Sequence, residues 1–137
     1  FMQGAASAFG MVLSAFADGD VTQLQRLLSF ELHEEFSESI RLRNKNGDEL
    51  GIEIISIDDV QLTEGQVVDN IASVTVTFVS TQTRTLSDRD GVVLEEDSME
   101  STELTDIWVF ERDTQLDDPN WKLVETRVPE EEDDEAN

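Results

Sequence analysis

The chain of 137 residues contains no cysteine. Disulfides, thiol catalysis and thiolate zinc sites are therefore excluded, while reducing and oxidising compartments both remain open. It has one histidine and two prolines. Basic residues are scarce as well, 9 Lys and Arg against 32 Asp and Glu, for a net charge of −23. Such a surface opposes nucleic acid, whose binding rests on Lys and Arg at phosphates, and repels anionic headgroups. No apolar run approaches the length of a membrane span. A glycine-rich phosphate loop, a Gly-x-Ser-x-Gly elbow and a twelve-residue calcium loop are all missing. No cofactor and no metal site are expected. The opening "FMQGAASAF" is neither a natural start nor a signal peptide, so sequence ahead of Phe1 is expected.

What is present suffices for one domain: 38% hydrophobic residues, with seven Phe and two Trp. Phe9, Val12, Leu13 and Phe16 recur at helical spacing and predict a helix over residues 3–17. "DGD" at 18–20 breaks it, and Asp20 with Gln23 forms a capping pair for a short second helix carrying Leu24, Leu27 and Leu28. Ser29 caps a third helix with Leu32, Phe36 and Ile40 on one face, which ends at "NKNG", 44–47. The period then changes. Residues 51–62 and 70–86 are rich in β-branched residues and alternate, and 103–112 and 121–128 follow after polar turns at 87–91 and 116–120. The order predicts an α+β fold, with the helices packed on one face of an antiparallel meander. Residues 1–129 form the domain, and the acidic run over 130–137 is expected to be a disordered tail.

Alternation places Trp108 and Phe110 on one face of their strand and Ile107 and Val109 on the other. Trp121 and Leu123 likewise oppose Val124. A strand apolar on both faces is covered on both. One face meets the helices, so Ile107, Val109 and Val124 are expected to meet a second subunit, a binding partner or an ordered tail. Trp108, Phe110 and Trp121 are core by default; alternatively they line, with Phe78 and His33, the mouth of a pocket between a curved sheet and the helices. His33 lies about 20° from Ile40 on a helical wheel, at the edge of the apolar face. Pairs such as Asp58–Asp59 and Glu95–Glu96–Asp97 are accidents of an acidic composition, and no catalytic residue is expected. Arg43 falls at a helix end, where a base suits the dipole.

"TDIWVFER" at 105–112 and "DPNWKLVETR" at 118–127 resemble the C-terminal signature of the Tim44-like domain. "FGMVLSAFADGDVTQLQRLLS" resembles the paired helices of that family, "ELHEEFSESI" its third helix, and "ISIDDVQL" and "ASVTVTFVSTQT" its first long strands. The resemblance covers roughly residues 3–128. Phe30 departs from it, since many members place proline at the first position of the third helix. The resemblance implies helices over a strongly curved antiparallel sheet, a cone of the nuclear transport factor-2-like (cystatin-like) class with a pocket. It also implies a non-enzymatic docking or scaffold domain of a bacterial, inner-membrane-associated protein, on the cytoplasmic (matrix-equivalent) side, acting in translocation or membrane-complex assembly. By the same resemblance, the segment ahead of Phe1 would carry the membrane anchor. Its partners would be proteins at that membrane, and a homodimer through the convex sheet is a weaker expectation. The anionic-lipid binding linked to the mitochondrial member is not carried over, because the first two helices offer only Arg26. The fold class also hosts isomerase- and dehydratase-like enzymes, whose pocket would show convergent polar groups near His33.

Overall fold

A computed structural model describes residues 2–92, 101–115 and 121–129. The turn read at 116–120 and the acidic run over 130–137 lie outside the described residues, as do Glu95, Glu96 and Asp97. Three helices come first: α1 (Met2–Asp18), α2 (Val21–Leu27) and α3 (Phe30–Asn46). Four strands follow: β1 (Glu49–Val68), β2 (Ile71–Ser87), β3 (Ser101–Asp113) and β4 (Lys122–Arg127). They form one antiparallel sheet in the order β1-β2-β3-β4. The architecture is α+β, with the N-terminal helices packed on the sheet.

The caps read in the sequence are built as the side-chain chemistry requires. The Asp20 carboxylate accepts from the backbone N–H of Gln23, and the Ser29 hydroxyl accepts from that of Leu32. Gly47 closes α3 in the left-handed region at φ 78°, donating to the carbonyls of Arg43 and Asn44.

β1 runs further than its sequence indicates. The stretch 63–69 reads as a connection, yet both strands continue to a two-residue turn at Asp69 and Asn70, whose φ angles are 53° and 71°. Asn and Asp tolerate this conformation, which matches the twist of a tight hairpin. β1 also departs from simple alternation. The pairing register shifts between Ile54 and Ser56, Ile57 and Asp59, and Leu62 and Glu64. The extra residues let Ile52, Ile54, Ile57 and Val60 all pack against the core although the steps from Ile54 to Ile57 and from Ile57 to Val60 are three residues.

The core lies between α1 and the inner sheet face, joining Phe9, Val12, Leu24, Leu28, Leu32 and Ile40 to Val76, Phe78, Trp108, Phe110 and Leu123. Arg43 does serve a helix end, but that of α1. Its Nη2 donates to the carbonyls of Phe16 at 2.8 Å and Ala17 at 3.2 Å, and its guanidinium lies 5.1 Å from the Phe16 ring centre.

Candidate functional site

The aromatic residues are assembled by the β2–β3 register, which sets Val76 opposite Trp108 and Val74 opposite Phe110. Phe78 and Trp108 are 0% and 3% exposed. Phe9 of α1 packs against both, 4.4 Å from Phe78 and 4.8 Å from Trp108 between ring centres, and the two themselves meet edge-on at 5.5 Å. Phe110 is buried 6.3 Å from Trp108. Trp121 is half-buried at the rim of the same cluster. Phe78, Trp108 and Phe110 are thus brought together under α1, where a side chain of the protein itself packs on the first two.

His33 is placed elsewhere, facing an open groove of about 600 Å³. One wall is the α2–α3 junction, with Gln25, Leu28, Ser29, Phe30 and Glu34; the other is Ile71, the β3 segment Glu111–Asp113, Lys122 and Val124. The His33 ring Nε2 donates to the Val21 carbonyl at 3.0 Å, which ties α3 to the start of α2. Lys122 donates through Nζ to the carbonyls of Arg26 at 2.9 Å and Gln25 at 3.4 Å, closing the C-terminal end of α2. Arg112 Nε is buried without a hydrogen-bond partner among the described residues. Phe30, by contrast, stands 74% exposed at the lip. The sequence marks Phe30 only as a break in the family pattern. Its prominence follows from its place as the first residue of α3, beyond the stripe that α3 buries.

Between the walls the main chain makes an incipient fifth strand. Leu28 forms a parallel bridge with Leu123, and the Ser29 N–H donates to the Leu123 carbonyl at 2.9 Å. Ser29 then caps α3, and the chain leaves the sheet. The pairing of β3 with β4 shifts between Val109 and Phe110, with Glu125 opposite the first and Leu123 opposite the second. Val124 is the extra residue, a bulge at the sheet edge rather than part of the outer face.

Ile107 and Val109 take the sheet face away from the helices. Val109 is 8% exposed, in a shallow depression of about 250 Å³ shared with Glu64, Gln66, Thr75, Glu111, Glu125 and Arg127. Arg127 is paired there with Glu125 at 3.0 Å.

A polar strip continues the inner face past Phe78. Ser80 and Gln82 are 0% and 1% exposed; Gln82 Nε2 donates to Ser80 Oγ at 2.8 Å, and Arg84 Nε to Gln82 Oε1 at 3.0 Å. Opposite Phe78 stands Asp106, whose Oδ2 is buried without a hydrogen-bond partner among the described residues. Burial pushes this carboxyl above its ordinary pKa, against a smaller pull from Arg84. The sequence placed Asp106 only in the family signature.

The sequence profile of the Tim44-like domain matches residues 1–128. Among solved structures, the crystal structure of the intermembrane space region of the chloroplast protein ARC6 matches with a TM-score of 0.65 at 12% identity, covering 93% of this chain and 95% of that one. At that identity the likeness is one of fold. A search of curated proteins found no match.

Proposed function

The chain belongs to the Tim44-like domain family, and from that premise we propose that it is a non-enzymatic docking domain, spanning residues 1–129, of a bacterial inner-membrane-associated protein. Its role is to hold protein partners at the membrane, on the cytoplasmic side, during protein translocation or membrane-complex assembly. The family is one of membrane-associated, translocation-linked domains, and no described helix is long and apolar enough to cross a membrane.

The observation that carries the reading is the division between a filled interior and an open groove. Phe9 packs directly on both Phe78 and Trp108, which also touch each other, so the buried aromatics act as scaffold. The surface offers instead an open groove with an exposed phenylalanine at its lip. His33 uses its Nε2 on a backbone carbonyl there. Polar side chains line the groove with Leu28, Phe30, Ile71 and Val124, but it is open, and its His33 Nε2 is engaged on a backbone carbonyl. That fits docking better than the closed site that acid–base catalysis needs.

Net charge favours protein over lipid as the docking surface. At −23 the domain is repelled by anionic bilayers over the range of the screened field. The test is flotation with three vesicle preparations: inner-membrane vesicles, the same vesicles shaved with protease, and protein-free anionic liposomes. The domain is expected to float with the first alone. Equal flotation with protein-free liposomes would replace protein docking with lipid docking.

A further inference from the structure

The incipient strand at Leu28 gives the groove a direction. Leu28 and Ser29 run parallel to β4 and bond to it at Leu123, but the chain turns away into α3 before reaching Glu125. Beyond that bridge, β4 continues from Val124 to Arg127 as the last strand of the sheet, with no strand paired on its outer side among the described residues. A strand end of this kind presents backbone donors and acceptors that an added strand can use. We propose that an extended, apolar and basic segment of a partner protein continues the strand begun at Leu28, lying beside Val124–Arg127 with an apolar side chain against Phe30. The proposal rests on the docking role above and names the site and the chemistry of its occupant.

Three observations select that occupant. Phe30 stands at the junction where the incipient strand ends, and Leu28, Ile71 and Val124 supply apolar surface beside it. The α3 side of the β4 edge carries Glu31, Glu34 and Glu35, while Glu111 and Asp113 on β3 lie at the Lys122 end of β4 where the groove begins. Of the two bases in the groove, Lys122 is already committed to the carbonyls that end α2. Counting Lys122 and Arg112 against Glu34, Glu111 and Asp113, the groove is net negative by one, and Glu31 and Glu35 add to this on the α3 side. A second copy of the chain brings the same −23, and the chain's own run Glu130–Glu135 brings only carboxylates. An alternating apolar and basic segment satisfies both requirements, since in an extended chain successive side chains face opposite ways. About four residues fit the free length of β4 beyond the bridge.

The experiment uses two fluorescein-labelled peptides of about ten residues, one alternating Lys and Val and one alternating Glu and Val, long enough to span that edge. They are titrated against the 137-residue chain and its Phe30→Ser variant, with fluorescence anisotropy as the readout and amide exchange followed by NMR. The Lys–Val peptide is expected to bind the natural chain at least about tenfold more tightly than the variant, as loss of a central aromatic anchor does at other interfaces. It should also slow amide exchange within Val124–Arg127, and the Glu–Val peptide should not bind. Equal binding to both proteins, or protection confined to the Ile107 face, would overturn the assignment while leaving the docking role standing. Absence of binding alongside retention on native vesicles would have the same meaning. A dimer that Phe30→Ser dissociates in sedimentation would make a second copy the occupant and would also overturn it.

Discussion

Phe9, Phe78 and Trp108 show how one side chain decides between a core and a cavity. Removing the Phe78 ring deletes a fully buried group stacked on Phe9 and in edge contact with Trp108 at 5.5 Å. Phe78→Ala is expected to cost about 3–5 kcal/mol in urea denaturation. A loss under about 1 kcal/mol would mean that the three rings do not share a packed interior. Asp106 gives a second residue-scale test. Its folded pKa is raised from 3.8 by burial, so ionisation is penalised in the folded state. Stability linked to this carboxyl is complete below 3.8 and is lost as pH rises through the higher folded value. Asp106→Asn should accordingly melt higher than the natural chain at neutral pH, with the gap narrowing as the pH falls toward 3.8. A gap independent of pH would assign the effect to packing instead. Alternation placed Phe78 and Trp108 on an apolar face but could not show that Phe9 packs against both, because that contact joins elements far apart in sequence. The partner of Arg43 was hidden for the same reason. A base at a helix end was legible; the helix it serves was not, since Phe16 and Ala17 lie on a different element.

At the scale of elements, the helix ends were the most legible features, because a cap is settled within a few residues. Asp20, Ser29 and Gly47 each do locally what their chemistry favours. Gly47 carries a further load. A Cβ at this position would meet the Arg89 side chain at 2.7 Å, and φ is 78°. Gly47→Ala should lower stability by at least about 1 kcal/mol, read from the shift of the denaturation midpoint. Unchanged stability would place the α3 terminus in some other conformation. β1 was legible as a strand but not in its extent. Its bulges shift Ile57 and Val60 back to the core side, and pairing with β2 as far as Val68 and Ile71 holds a segment that contains Gly65. Bulges and cross-strand partners are properties of a pair of strands, which one strand's sequence does not carry. The same limit applies to Val124, read as the opposite face to Leu123 and found instead at a break in register.

For the whole molecule, the order of elements and the class of fold could be read directly, since the change from helical period to alternation is strong and occurs once. The outer patch was less legible. Ile107, Val109 and Val124 on the far side of apolar strands looked like a surface needing cover; Val109 is 8% exposed among charged and polar neighbours on its own sheet, and Val124 lies at the edge. The groove, which joins the α2–α3 junction to β3 and β4, could not be found from any single segment. Its assignment as the docking site, with the outer face at Ile107 as the competing surface, is the central claim. The most direct measurement is photocrosslinking in intact cells, with a photoreactive phenylalanine analogue placed singly at Phe30, at Ile107 and at the exposed control position Leu42 on α3. The account predicts adducts with a membrane protein from position 30, fewer from 107 and none from 42. Equal adducts at all three positions, or none at 30 with abundant ones at 107, would contradict it.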